Sequence, residues 1–158
     1  MSDPFAQAFH DYHFAEMKTP LLYRRGDEVK EAELGPYFEP ADADGSWLAA
    51  QVDGPLLDMG AGAGRHSLYF QQQFETVAIE QTEALVELLR DRGVEDARHA
   101  DMFSLRDSFE ADRFESAIAL GTQTSLARSM EGLVRFLNDL ARVTTPTATA
   151  VLDGYDPE

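Results

Sequence analysis

Asp58-Met59-Gly60-Ala61-Gly62-Ala63-Gly64-Arg65-His66 is the stretch on which the fold turns. Leu56-Leu57-Asp58-Met59 is a short apolar run with the length and bounds of a buried strand. It leads straight into three alternate glycines, which places a tight turn at the carboxyl end of that strand. Glycine suits such a turn because the backbone can bend sharply and approach a ligand with no Cβ in the way. The spacing excludes two phosphate-binding loops. A dinucleotide fingerprint, G-x-G-x-x-G/A, would end on Arg65 when counted from Gly60 and on Ser67 when counted from Gly62, and neither residue fits. No G-K-[ST] follows, so the loop is not a P-loop.

Working outward, strands and helices alternate. A helix is expected over 65–73. Thr76-Val77-Ala78-Ile79 reads as a second strand ending at Glu80. Thr82 caps a helix whose Leu85, Leu88 and Leu89 share a face, and Gly93 stands where that helix should stop. A weaker third strand covers 97–100 and ends at Asp101, and a fourth covers 116–120 and ends at Gly121. Met130, Leu133, Val134, Leu137, Leu140 and Ala141 form the clearest helical stripe. Pro146 is expected to break the chain before a fifth strand at 147–152. Apolar strands alternating with helices predict a doubly wound α/β domain, its parallel sheet covered on both faces. Ligands of such sheets bind beyond the strand carboxyl ends, near the point where strand order reverses. Four strand ends carry a polar residue or glycine there: Asp58 to Gly64, Glu80, Asp101 and Gly121. Each alone reads as a cap or turn. Four in register in one sheet indicate a nucleotide-like ligand.

With an acid two residues before the first glycine, the loop resembles the first motif, D/E-x-G-x-G-x-G, of class I S-adenosylmethionine-dependent methyltransferases. The following Arg65-His66 is similar to many of their small-molecule members, and the resemblance covers about residues 46–156. It implies a Rossmann-like, mainly parallel sheet with helices on both faces. Five of the usual seven strands are expected, so the chain reads as C-terminally short. The resemblance assigns S-adenosyl-L-methionine to residues 46–158 and a helical lid or substrate segment to residues 1–45. Glu80, flanked by Gln81, would accept hydrogen bonds from both ribose hydroxyls, for which a carboxylate has two oxygens. Asp101 would accept from the adenine amino group, while Met102 packs on the ring. Asp58 lies near the methionine ammonium. Gly60, Ala61, Gly62 and Gly64 open a helix whose N-terminus favours the methionine carboxylate. Gly121 and Thr122 would line the sulfonium and methyl end, although Gly121-Thr122-Gln123 departs from the Gly-Asn pair of the closest relatives. The implied reaction is in-line methyl transfer to a small-molecule nucleophile. The alternative is a cofactor-binding, catalytically incomplete domain that needs another chain. A nicotinamide oxidoreductase is disfavoured by the glycine spacing.

Segment 1–45 is less regular and holds four of the seven prolines. Ser2 or Asp3 can cap a helix with Pro4 in its first turn, and Phe5, Phe9 and Tyr12 then line one face. A second short helix is expected after Asp27, ending near Gly35-Pro36, and a third after Ser46, over 47–52. Tyr12, His13 and Arg25 are candidate substrate contacts. His10 and His13 lack an adequate metal-ligand set, and no metal is expected. His66 is expected to pack within its helix, and no residue identifies itself as catalytic.

The 29 Asp and Glu against 13 Lys and Arg give a net charge of −16. Eleven of those cations are Arg, and the acids are scattered rather than gathered in a tail. This pattern reads as a surface tuned for concentrated salt, in the cytoplasm of a high-salt cell. Nucleic acid is a poor partner, since no basic stripe replaces phosphate counterions. No apolar stretch is long enough to span a membrane. The absence of Cys removes disulfides, Cys-ligated zinc, iron–sulfur clusters and thiol catalysis. A fifth strand rich in Thr, Val and Leu, left at the sheet edge, is a candidate surface for homo-oligomer formation.

Overall fold

The computed structural model of the chain describes residues 3–41, 46–121 and 127–154. In chain order its elements are α1 (Pro4–His13), β1 (Leu22–Arg25), β2 (Glu28–Glu31), α2 (Gly35–Phe38), β3 (Leu56–Met59), α3 (Arg65–Phe70) and β4 (Thr76–Glu80). There follow α4 (Glu83–Asp91), β5 (Ala97–His99), α5 (Leu105–Ser108), β6 (Phe114–Ala119), α6 (Met130–Val143) and β7 (Thr144–Leu152). Five strands form one parallel sheet in the order β5-β4-β3-β6-β7. The chain first winds outward from β3 through β4 to β5, then returns past β3 to β6 and β7. Strand order therefore reverses beside β3, and a crevice opens between the carboxyl ends of β3 and β6.

The core follows from the two-residue period of the strands. Leu57, Met59, Val77, Ile79 and Ala117 pack with Phe136, Leu140 and Val143 of α6 on one face. On the other, Leu56 and Ile118 pack with Phe70 of α3, and Ala78 packs with Val86 and Leu89 of α4. Every residue of β3 is buried, as a central parallel strand demands. Helix starts obey capping chemistry. Asp3 accepts from Phe5 N–H, Thr82 from Leu85 N–H and Ser129 from Gly132 N–H. Among the described residues no helix is long and apolar enough to cross a membrane.

Several local expectations need correction. In place of a helix after Asp27, β1 and β2 form an antiparallel hairpin with Arg25 opposite Glu28, closed by Gly26-Asp27 with Gly26 at φ +61°. A two-residue loop with glycine first suits the twist of a hairpin. All eight strand residues are exposed, so no apolar alternation marks them in the sequence. The helix expected over 47–52 is only a 3-10 turn, Leu48–Ala50, and α3 ends at Phe70 rather than 73. Pro146 lies inside β7, which begins at Thr144. The pairing with β6 slips between Phe114 and Ser116, and β7 is an edge strand, so the missing proline N–H costs no ladder bond. The 3-10 turn Met102–Ser104 and α5 have no counterpart in the expectations. Asp3 supplies the cap of α1, and Ser2 lies outside the described residues.

Candidate functional site

At the carboxyl ends of β3 and β4 the backbone is tied into one unit. Gly60 N–H donates to the Ile79 carbonyl at 3.0 Å. Gly62 N–H donates to Glu80 Oε1 at 2.7 Å, and Gln81 N–H reaches Glu80 Oε2 at 3.3 Å. The Asp58 side chain lies on the α3 side of the sheet, 4% exposed, where Ser67 Oγ–H donates to its Oδ2 at 2.6 Å. Burial pushes the Asp58 carboxyl up to about 6, against the Ser67 hydrogen bonds that lower it. Burial likewise pushes Glu80 up to about 7; the amides of Gly62 and Gln81 oppose this, and the nearby charges of Asp58 and Asp3 add to it. A buried and a half-buried carboxylate so placed are ready to meet hydroxyl donors or a cation.

A cleft of about 560 Å³ opens over this floor. Its base is Asp58, Gly60 to Ala63, Glu80, Leu120 and Gly121, with Arg65 and His66 from the first turn of α3. The opposite wall comes from the N-terminal segment: Asp3, Phe5 and Phe9 of α1, Tyr23 of β1 and Tyr37 of α2. Ring contacts run Tyr23–Phe5 (5.8 Å), Phe5–Phe9 (5.7 Å) and Phe9–Tyr37 (5.1 Å), making that wall one aromatic surface. Burial and the neighbouring Tyr37 push the Tyr23 phenol up. A smaller recess of about 60 Å³ continues past Glu80, lined by Ile79, Gln81, Thr82, Ala100 and the buried Met102. Beside it Asp101 Oδ1 accepts from Phe103 N–H at 2.8 Å and from Gln81 Nε2 at 2.7 Å.

The wall is anchored from behind. Arg92, just past α4, donates to the Ala63 carbonyl of the glycine loop at 2.7 Å and to the Phe38 carbonyl of α2 at 2.9 Å. Its guanidinium carbon lies 4.9 Å from the Phe38 ring centroid. One cation thus joins the glycine loop to the N-terminal segment. Gly64 is equally constrained: its φ is +77°, and a Cβ there would fall 2.7 Å from Leu89 Cδ2.

Of the residues singled out in the sequence, Asp58, Gly60, Ala61, Gly62, Glu80 and Gly121 line the main cleft. Gln81 and Met102 line the recess. Gly64 packs behind the loop against α4, and Thr122 lies outside the described residues. Tyr12, His13 and Arg25 are not brought to the cleft. Tyr12 packs on Phe38, His13 Nε2 lies 2.7 Å from Asp91 Oδ2, and Arg25 is exposed on the hairpin opposite Glu28. His10, Asp11 and Glu16 gather potential ligand atoms within 4.8 Å, but Asp11 already accepts from Gln7 Nε2 and His10 faces Glu87. That cluster reads as surface ion pairing. Reading the sequence missed Tyr37, Arg65 and His66 as cleft residues. His66 follows the motif directly, so helical phase alone could have turned it toward the loop.

The family described as Methyltransferase domain matches residues 57–152. A SAM-dependent methyltransferase from Bacteroides fragilis, solved in complex with S-adenosyl-L-homocysteine, superposes with a TM-score of 0.76 at 25% identity over 92% of this chain. The chain spans only 62% of that protein. The sugar N-methyltransferase KedS8 from Streptoalloteichus shares the fold at TM-score 0.63 and 19% identity, over 88% of this chain and 60% of its own. Streptomyces venezuelae DesVI shares it at 0.57 and 22%, over 63% and 42%. No curated protein matches significantly by sequence.

Proposed function

Because this chain belongs to the Methyltransferase domain family, we propose that it binds S-adenosyl-L-methionine and directs its methyl group to a small-molecule nucleophile. The observation that carries this reading is the Gly62–Glu80 hydrogen bond inside the cleft at the switch point. It fixes the glycine loop and a half-buried carboxylate as one receptor, preorganised before any ligand arrives. In this reading Glu80 holds the ribose hydroxyls, with Gln81 beside it. Asp101 and Met102 hold the adenine at the smaller recess, and Asp58 meets the methionine ammonium. Gly60, Ala61 and Gly62 bring backbone to the methionine moiety, with Gly64 supporting the loop, and Gly121 and Thr122 border the reacting end. Two desolvated acids pushed toward neutrality fit a cationic guest. When bound, the cofactor supplies an activated methyl group on a sulfonium. The protein's part is then to align the acceptor, close the cleft with Phe5, Phe9, Tyr23 and Tyr37, and exclude water. Residues 1–45 act in this reading as the lid, and residues 46–158 as the cofactor domain.

Calorimetric titration with S-adenosylmethionine, S-adenosylhomocysteine and NAD tests the proposal. The first two are expected to bind, and binding of NAD alone would overturn it. A second reading, a domain that binds the cofactor but needs another chain for turnover, draws support from β7. That edge strand has partly exposed faces, whereas β3, β4 and β6 are almost wholly buried. A second copy of the chain pairing there is part of this reading. A methyl-transfer screen separates the two. We also assign the −16 charge to a concentrated-salt cytoplasm, in which self-repulsion is screened.

A further inference from the structure

His66 is the one imidazole that lines the cleft, and the function as described above gives it no task. It stands in the first turn of α3, where the glycine loop ends, and shares the cleft with Leu120 and Gly121 at the end of β6. Gly121 N–H donates to Asp153 Oδ2 at 2.8 Å, and the Asp153 carboxylate is near enough to act on the His66 ring. An imidazole and a glycine turn thus share the cleft, neither lining the Gln81 and Met102 recess, and the Asp153 carboxylate is held against that turn from outside the cleft lining. No hydrogen bond from another described residue engages the His66 ring nitrogens. Burial, then Arg65 next to it, push its pKa down, while Asp153 pulls it up. The imidazole is therefore neutral near pH 7, which is the form that can accept a proton.

We propose that His66 is the proton acceptor of the methyl-transfer site, serving an acceptor whose nucleophile is an O–H or N–H group. The inference rests on the cofactor reading above and deepens it. As the acceptor's heteroatom bonds to the methyl carbon, the carbon–sulfur bond breaks and its electron pair stays on sulfur. The proton of that heteroatom passes to a ring nitrogen of His66 and from there to water. Asp153 steadies the imidazolium formed. A thioether, which carries no proton to lose, has no use for His66. The other ionisable groups facing this space are Asp58 on β3, Glu80 on β4, Asp3, Arg65, and the phenols of Tyr23 and Tyr37. Asp58 and Glu80 titrate in the same range, so the test must read His66 itself.

The chain has only four histidines, so imidazole proton NMR can follow each, with the signal missing from H66Q identifying His66. The wild-type protein is titrated with pH alone, with S-adenosylhomocysteine and with S-adenosylmethionine. The positive sulfonium is expected to lower the His66 pKa by at least about half a unit relative to the neutral thioether, with His10, His13 and His99 unmoved. Equal His66 pKa values with both ligands bound would overturn the placement. Binding of neither ligand would instead sink the cofactor reading itself. The role is tested by transfer of radiolabelled methyl to a panel of small amines and phenols. H66Q is expected to lose about 100-fold or more in kcat, with the low-pH limb of the rate profile, and to keep its affinity for S-adenosylhomocysteine. Unchanged kcat and pH profile in H66Q would overturn the role. Should H66Q fail to fold, H66N provides the same comparison.

Discussion

Gly62 donates its backbone N–H to Glu80 Oε1 at 2.7 Å, across the gap between the loop after β3 and the end of β4. The two residues are 18 apart in sequence, and parallel pairing of β3 with β4 puts them side by side. This bond sets the loop's conformation and spends one carboxylate oxygen on the protein itself. In the proposed function, the remaining capacity of Glu80 is what the ribose meets.

E80Q should separate ligand affinity from stability. The amide oxygen can still accept from Gly62, but the charge is gone. Affinity for S-adenosylhomocysteine is expected to fall by about 1.5–3 kcal/mol, the worth of hydrogen bonds to a charged group, as measured by calorimetry. Unchanged affinity would remove Glu80 from the site.

The same substitution should alter the pH dependence of the ligand-free protein. Glu80 is raised from 4.5 to about 7 and Asp58 from 3.8 to about 6, so between those limits the folded state binds more protons than the unfolded chain. The contribution of these two groups to stability is therefore fully present below the ordinary carboxylate range and is lost as pH rises through about 6 to 7. At about 1.4 kcal/mol per unit, ionising Glu80 costs the empty protein on the order of 3 kcal/mol. Urea unfolding from pH 4.5 to 8 should show wild type weakening and E80Q weakening less. E80Q should be the more stable of the two at pH 8. Parallel curves would show that the fold does not desolvate Glu80.

Two glycines with positive φ should respond differently to alanine. At Gly64 a Cβ would lie 2.7 Å from Leu89 Cδ2 and 2.9 Å from Val94 Cγ2, whereas at Gly93, φ +97°, nothing lies within 4 Å. G93A meets backbone strain alone, about 1–2 kcal/mol. G64A adds overpacking of the α4 side of the core, for a total of about 2–5 kcal/mol. Chemical denaturation of the two variants gives the comparison, and equal losses would contradict the packing at Gly64.

Arg92 should govern how the N-terminal segment sits on the sheet. R92A removes donors to the Ala63 and Phe38 carbonyls and the contact with the Phe38 ring. Hydrogen exchange should rise over α1 to α2 while β3, β4 and β6 keep their protection. Lysine should not restore the wild-type pattern, since it lacks the planar fork that reaches both carbonyls. Uniformly raised exchange would show that Arg92 supports the whole fold instead.

Salt and self-association can be read together. With a charge of −16, the melting temperature should rise with KCl, as the Debye length shrinks from about 10 Å at 0.1 M to about 3 Å at 1 M. Among the described residues no strand pairs with the outer edge of β7, and Met130, Val134 and Leu137 of α6 are exposed at 74%, 53% and 42%. Light scattering over the same salt series should therefore show association. A chain that stays monomeric and equally stable throughout would count against both expectations.

Much of the central domain is legible in the sequence because its signals are local. Leu56 to Met59 is apolar because both faces of a central parallel strand are buried, and the glycines follow because the backbone must turn there. Thr82 and Gly93 bracket α4 by capping chemistry alone. Glu80, Asp101 and Gly121 each follow an apolar run, so their strand-end position is written in the order of residues. The hairpin β1–β2 was not legible, since eight exposed residues need no hydrophobic alternation. Helix α1 is legible from its cap and its apolar stripe, but which of its residues reach the cleft is not. Phe5 and Phe9 face the cleft, while Tyr12 turns to Phe38 and His13 to Asp91.

What the sequence determined by itself was the sheet, its direction and the strand ends that carry polar groups, because these depend on neighbours within a few residues. What only the tertiary structure decided is which groups share the cleft. Asp58 lies close enough to raise the cost of ionising Glu80, Arg92 reaches 54 residues back to Phe38, and His66 feels the charge of the Asp153 that follows the last strand. Those relationships arise from the parallel register and the packing of helices on the sheet, and burial then sets the charge each group can hold.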